Sequence, residues 1–323
     1  MPIRTTARPA AGVVGLGNVA IDVTRILAKA PTDLATTDIA RHATDRLTTS
    51  ALREIHVFGR RGPVQAAFTT PELRELGELP GVDIVVDLEL DAESAAHLAA
   101  SGDRNLAKNL EVLREWAARP AGSAPRRIHL HFCVSPVEVI GPDRVTALRL
   151  VRNRLEPDGR GGVRAVPTGE EFTLPIGLLF RSVGYRGVPI DGLPFDETRG
   201  VVPNVEGRVV EHVDSHTCLN GVYVAGWIKR GPSGVIGTNK LDATQTVDHL
   251  LADAAAGRIN LAGRSPDELL DRLGAQGARI TTWDGWLAID RHETELGKPA
   301  GKPREKLTKV EEMLTIAHGE HGK

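Results

Sequence analysis

The apolar positions of this chain fall into short blocks whose period changes at glycine and proline. Ala11-Gly12-Val13-Val14 is a continuous apolar run, which predicts a short buried strand. It passes into Gly15-Leu16-Gly17-Asn18-Val19-Ala20. Val19, Ile21, Val23, Ile26 and Leu27 then recur at helical spacing, and Pro31 closes that helix. A polar stretch with weak helical pattern runs from Thr32 to Ser50. Ile55-His56-Val57-Phe58 is the next strand and leaves through Gly59-Arg60-Arg61-Gly62-Pro63. Residues 11 to 62 therefore read as a βαβ unit with a polar insert.

Further along, Thr70-Pro71-Glu72 opens a helix with proline at its first turn. Val82 to Val86 predicts a strand, and Ala92 to Trp116 carries a mostly helical pattern. Arg127 to Cys133 and Ser135 to Ile140 follow as strands. Val145 to Arg152 and Gly161 to Phe172 suit an antiparallel pair across the turn at Asp158-Gly159. Leu178 to Ser182 is another buried strand. Gly184 to Pro203 is rich in glycine and proline, which places a domain boundary near residue 183. Val222 to Trp227 reads as strand and loop, with helices from Asn239 to Ala255 and from Ser265 to Leu273. The tail after Gly297 reads as loose, although Leu307 to Ile316 can dock.

The glycine turn has the context that gives such a motif meaning: a strand before it, a helix after it and a second strand later. Gly15 allows the tight turn, Gly17 admits close approach of a pyrophosphate, and Ala20 stands where a small residue lets helix and strand pack. The phosphate meets free N–H groups at the helix start. The second strand ends in Arg60-Arg61 rather than in the carboxylate that binds a ribose 2′-OH. Two guanidinium groups match a 2′-phosphate in charge and fork geometry, so the unit is expected to prefer NADPH over NADH. The arginines lie about forty residues beyond Gly17 instead of the usual twenty or so, and the polar insert accounts for the excess.

Glu72 and Glu75 are three apart and share a helix face. One can bind a ribose hydroxyl or fix an arginine of the phosphate site. Glu75 is the candidate catalytic residue, as a general base, though hydride transfer between cofactors does not require one; surface charge on a helix is the other reading. Ala225 to Lys240 sets Trp227 before Gly231, Gly234 and Gly237, a density that lets a flat ring or phosphate approach the backbone. Trp227 suits either a cover for an aromatic ring or a core position. His129 and His131 alternate on one strand and face the same way, but no third ligand is evident, so no metal site is expected.

Composition narrows the field. The chain has 323 residues, with 40 Lys+Arg against 42 Asp+Glu. That balance argues against nucleic acid as a partner. No apolar stretch is long enough to cross a bilayer, and the N-terminus has no secretory pattern. Cys133 and Cys218 form no C-x-x-C pair, which excludes a redox dithiol of that kind. They are expected to be buried structural thiols in a reducing cytoplasm.

The segments Gly15 to Val23, Gly59 to Pro63, Gln65 to Thr70, Arg181 to Gly187, Gly226 to Lys240 and Thr282-Trp283-Asp284-Gly285-Trp286 together resemble the NADPH–ferredoxin reductases of the adrenodoxin reductase type, including actinobacterial members. The resemblance implies an α/β fold in which a Rossmann-like NADP-binding domain is followed by the C-terminal part of an FAD-binding domain. It implies a disordered N-terminus at residues 1–10, the NADP domain at 11–182 and the FAD portion at 183–323. By position, Gly15, Leu16, Gly17, Asn18 and Val19 would touch the NADP pyrophosphate. Arg60, Arg61 and Glu72 would hold its adenosine phosphate end. Trp227, Gly234, Val235 and Ile236 would touch FAD, with Gly234 also near the nicotinamide.

The implied activity is transfer of electrons from NADPH through FAD to a ferredoxin-like iron–sulfur protein, with Lys229 and Arg230 attracting an acidic partner or standing as solvated loop charges. In this family a first glycine-rich strand–turn for the FAD pyrophosphate precedes the NADP domain. Nothing like it precedes Ala11, so the N-terminal FAD-binding segment is expected to be missing or supplied by another chain. The alternative reading is a truncated NADP(H)-binding module that holds no FAD. A simple NADP dehydrogenase finds no support, because there is no Tyr-x-x-x-Lys pair.

Overall fold

The computed structural model describes residues 9–88, 92–120, 122–159, 161–234, 236–259, 263 and 265–319. The first apolar run forms strand β1, Ala10–Val14, whose first four residues are buried. With β2 (Glu54–Phe58), β3 (Val82–Asp87) and β4 (Arg126–His131) it enters a parallel sheet. The chain then makes an antiparallel excursion through β5 (Val134–Ile140), β6 (Ala147–Pro157) and β7 (Val163–Leu174). It returns as β8 (Leu178–Arg181) beside β1, giving the parallel order β3-β4-β2-β1-β8.

Period-two alternation decides what each sheet face meets. Ile55 and Val57 pair in register with Ile128 and Leu130. They join Val13, Ile21, Leu73, Leu113 and Trp116 in the main core under the Asn18–Ala28, Thr70–Gly77 and Arg104–Ala117 helices. The opposite face carries Glu54, His56 and Phe58 beside Arg127, His129 and His131. Phe58 and Ala10 there pack with Val134, Leu148, Leu150 and Ile176 from the excursion and its return. The expected helix from Ala92 to Trp116 is two helices, Ala92–Ser101 and Arg104–Ala117. Gly102 takes φ 58° between them, and Asp103 caps the second by accepting from the Asn105 and Leu106 N–H groups.

The molecule divides into two compact units, Met1–Val183 with Thr281–Lys323, and Gly184–Ile280. The first unit's leading segment ends at Val183, and Thr281–Lys323 belongs with it rather than with Gly184–Ile280. Nor is the tail after Gly297 loose. Glu293, only 5% exposed on the Trp283–Gly297 helix, accepts from the Leu307 N–H at 2.9 Å and from Arg304 at 3.2 Å. Lys302 donates to the Ile39 carbonyl at 2.7 Å, and the Arg41 N–H donates to Glu305 at 3.0 Å. The tail thus ties down the same polar insert that lengthens the βαβ unit. At the other end Pro9 and Ala10 are ordered: the Pro9 carbonyl accepts from Arg53 and Glu54. The rest of the expected disordered N-terminus, residues 1–8, lies outside the described residues.

The second unit contains the antiparallel strands β9 (Asn204–Val205), β10 (Arg208–Val210) and β11 (Cys218–Tyr223) and the Ile236–Ala255 helix. Its small core holds Val202, Val209 and Val224. Asp253 ties helix to sheet: it accepts from Arg208 at 2.6 and 2.9 Å, from Tyr223 at 2.7 Å and from Arg258 at 2.9 Å. Hydrogen bonds from Arg208 and Tyr223 hold its carboxyl well below the ordinary carboxylate range. No helix among the described residues is long and apolar enough to cross a membrane.

Candidate functional site

The parallel sheet directs the carboxyl ends of β1, β2 and β8 to one edge, where open α/β sheets bind ligands. Gly15 leaves β1 with φ 131°, and its N–H donates to the Phe58 carbonyl at 2.9 Å. The Ser182 carbonyl oxygen lies where a Cβ on Gly15 would stand, so this turn admits no side chain. Gly17 differs: a Cβ there would meet nothing within 4 Å, leaving open space in front of the helix. The Asn18–Ala28 helix begins with no side-chain cap and no acidic residue in its first turn. Its first N–H groups and positive end are therefore available to an anion. Ala20 is fully buried, as close helix–sheet packing requires. Val19 is 42% exposed, and Asn18 accepts from the Thr69 N–H at 2.8 Å, fastening the turn to the next loop.

The β2 exit lies against this turn, because a side chain on Gly59 would run into Leu16. Its backbone is pinned from the excursion strands. The Asn153 amide donates to the Arg60 carbonyl at 2.9 Å and to Ser135 at 2.8 Å, and the Cys133 N–H donates to the Arg61 carbonyl at 3.0 Å. Arg60 and Arg61 are exposed, and among the described residues neither guanidinium makes an ion pair. Held backbone and unpaired charge suit a site for a phosphate dianion.

The loop that follows is more polar inside than its sequence indicates. Gln65 Nε2 and Oε1, Thr70 Oγ1 and Glu72 Oε2 are buried without hydrogen-bond partners. Such atoms cost free energy unless a ligand or water satisfies them. Gln65 and Thr70 lie at the ends of a segment that the sequence singles out, but neither was read as a site residue, and Asn153 lies in no motif; only the packing brings their polar atoms forward. Glu75 is half-exposed and pairs with Arg25 on the Asn18–Ala28 helix, and nothing in that arrangement calls for proton transfer.

In the second unit Trp227 opens the short Trp227–Arg230 helix, 44% exposed and stacked on Tyr185 with centroids 5.6 Å apart. It is thus no core tryptophan, and a surface aromatic pair can receive a flat ring. Gly234 has φ 83°, and a Cβ there would strike Thr238. The following helix starts at Ile236, three residues before the expected Asn239. Val235 lies outside the described residues.

Lys229 and Arg230 are not free surface charges. Lys229 is 8% exposed, with Nζ 3.0 Å from Asp242 Oδ1, 2.9 Å from Gln245 and 3.1 Å from Thr246. Burial pushes the Asp242 carboxyl up, but the Gly226 N–H and Lys229 outweigh it and hold it below its ordinary range. Arg230 donates to Ser233 and Asn239 and so clips the glycine loop closed. The helical turn points both cations inward, which a linear reading of charge cannot register. The cysteines also depart from expectation: Cys218 is exposed and Cys133 half-buried, and neither forms a disulfide.

The third imidazole missing from the sequence pattern comes from the neighbouring strand. His56 on β2 pairs in register with His129 on β4, and its Nδ1 lies 3.0 Å from His131 Nε2.

No family model matches the chain. Among curated proteins it is 45% identical over 313 residues to the NADPH-ferredoxin reductase FprA of Mycobacterium tuberculosis, covering 95% of this chain and 67% of that protein. It is 37% identical to the mitochondrial NADPH:adrenodoxin oxidoreductase of Arabidopsis thaliana, covering 94% of this chain and 65% of the relative. The chain thus spans about two thirds of the length of these relatives. Among solved structures, Mycobacterium tuberculosis FprA in complex with NADPH superposes with a TM-score of 0.84 at 43% identity, over 96% of this chain and 68% of that one.

Proposed function

The chain belongs to the NADPH–ferredoxin reductases of the adrenodoxin reductase type, and from that premise we propose that it draws electrons from NADPH and delivers them through FAD to a ferredoxin-type iron–sulfur protein. One observation supports the electron source above the others. An uncapped helix with open space at Gly17 stands beside two unpaired arginines on a pinned loop.

We assign the pyrophosphate to the backbone around Gly15, Leu16, Gly17, Asn18 and Val19. Arg60 and Arg61 hold the 2′-phosphate as two forks of positive charge, and a carboxylate at either position would repel it. Glu72, with one oxygen buried and unmet, accepts from the ribose or orients an arginine. Trp227 with Gly234, Val235 and Ile236 belongs to the FAD site. The exposed ring of Trp227 and the open space at Gly226, Gly231 and Gly237 fit a flat group against the backbone there. When bound, the flavin supplies the conversion of a two-electron donor to a one-electron donor. The residues of this chain contribute binding, orientation and charge.

The acceptor is a ferredoxin-like protein whose docking surface does not include the Lys229 ammonium, because that group is committed internally. We place the protein in the cytoplasm, where the thiols of Cys133 and Cys218, neither in a disulfide, stay reduced.

The purified 323-residue chain tests this reading. A yellow flavin spectrum and NADPH-dependent dye reduction are expected. A colourless protein that binds NADPH but holds no flavin would favour a nucleotide-binding module instead. Recovery of flavin and activity on adding a second chain would assign the remaining FAD contacts to that partner.

A further inference from the structure

The β2–β4 register gathers three imidazoles on the sheet face away from the main core. His56 and His129 are direct partners, and His131 is one pleat further along beside Phe58. The three rings stack, with centroids 4.5 Å apart for His56 and His129 and 5.3 Å for His56 and His131. One ring nitrogen from each lies within 4.8 Å of the other two. Glu54, two residues before His56 on the same face, has Oε2 2.5 Å from His129 Nε2.

We propose that His56, His129 and His131 form a three-imidazole binding site for a divalent transition-metal ion of the Zn2+ type, with Glu54 as the carboxylate behind His129. Three neutral imidazoles are an established donor set for such an ion, and a fourth position remains for water. Tetrahedral binding at metal–nitrogen distances near 2.0–2.1 Å sets ligand nitrogens roughly 3.3 Å apart. The His56–His131 pair at 3.0 Å must open by only a few tenths of an ångström. His129 must turn about its outer side-chain torsion, which is soft for imidazole. Metal-ligating imidazoles commonly give their other N–H to a carboxylate, the role that Glu54 fills.

The charges around the rings are mixed. Arg127 pairs with Glu54 at 3.5 Å, while Asp87 and Arg152 act on His131 with opposite sign. Val85, the register partner of His129 on β3, is 40% exposed, so the face is open beside the rings. Burial keeps His56 and His131 deprotonated at neutral pH, in the form that ligates. The nucleotide site needs none of these rings, so the two functions are separable.

Titration of the metal-stripped full chain with Zn2+ alone, followed by calorimetry, tests the assignment, with Co2+ as a spectroscopic substitute. One ion per chain is expected, with visible Co2+ bands of tetrahedral intensity. His131→Asn and His56→Asn should each abolish both signals, while Glu54→Gln should weaken Zn2+ binding by about 10- to 100-fold. His42→Ala, at an exposed position outside the cluster, should bind as the parent does. Circular dichroism without metal establishes that each variant is folded. Zn2+ uptake that survives loss of His56 or His131, or a parent chain with no stoichiometric uptake, would overturn the proposal. In that case the three rings are a packing stack alone.

Discussion

The carbonyl oxygen of Ser182 fills the space that a side chain on Gly15 would need, while the Ser182 N–H donates to the Val14 carbonyl at 2.7 Å. The ends of β1 and β8 therefore close on each other through backbone alone. Gly15→Ala is expected to lose about 1–3 kcal/mol from the backbone angle, with the clash adding to it. Gly17→Ala makes the useful contrast, because its Cβ would stand in open space. Its stability should stay within about 0.5 kcal/mol of the parent, while NADPH affinity falls roughly tenfold or more, equivalent to about 1.4 kcal/mol. Denaturant unfolding beside NADPH titration separates the two effects, and equal loss of stability in both variants would contradict it.

Arg60→Ala and Arg61→Ala should weaken NADPH binding while leaving NADH binding near its parent value. Each lost charge-assisted contact is worth about 1.5–3 kcal/mol, or roughly ten- to a hundredfold in affinity. Titration with both coenzymes checks this. An equal effect on both would remove the 2′-phosphate from the argument.

Asn153 touches no ligand in the proposed site but holds the Arg60 carbonyl and Ser135 together. Asn153→Ala should cost about 1–3 kcal/mol in stability by leaving these acceptors unmet. It should also raise KM for NADPH by releasing the loop. A loss of stability with an unchanged KM would show that the loop keeps its position without this clamp.

Lys229→Ala should destabilise the second unit by about 3–5 kcal/mol, because it leaves the Asp242 carboxylate buried and unpaired. Lys229→Met, which fills the space, should cost a similar amount. Thermal unfolding measures it. A variant of parental Tm whose only defect is a raised KM for ferredoxin would restore the docking role expected from sequence.

The histidine stack gives a pH dependence. Burial lowers His56 to about 3 and His131 to about 4, with neighbouring rings adding to the effect. An unfolded histidine takes up its proton near pH 6.5. Above that value neither state binds the proton and the rings contribute no slope. As pH falls from 6.5 toward 4 the unfolded state gains protons that the folded state refuses, so stability declines. The slope is at most about 1.4 kcal/mol per pH unit for each ring. Metal-free unfolding curves between pH 7 and 4.5 should show it, and His56→Gln should flatten it. An unchanged slope would mean that other groups govern acid stability.

The glycine turn was legible as strand, turn and helix because these are local: Gly15, Gly17, Ala20 and the helical repeat after them lie within one stretch of chain. The strand that leads into Arg60-Arg61 could be placed beside the first despite a long insert, because the second strand of a βαβ unit must return there. Glu75 was less accessible, since its partner Arg25 lies on another helix. The polar roles of Gln65, Thr70 and Asn153 were invisible for a different reason: their polar atoms matter through burial, and no spacing encodes burial.

The sequence by itself determined the backbone chemistry of this protein: where glycine is required, where a helix can start uncapped and where positive charge stands at a strand end. These depend on covalent structure and neighbouring residues. The tertiary structure alone decided which charges face inward and which strands lie side by side. It turned Lys229 into a buried ion pair, folded the tail onto the Thr32–Ser50 insert and brought His56 to His131 from 75 residues away. Register and burial are set by packing between distant segments, and that information is shared across the chain rather than held at any one position.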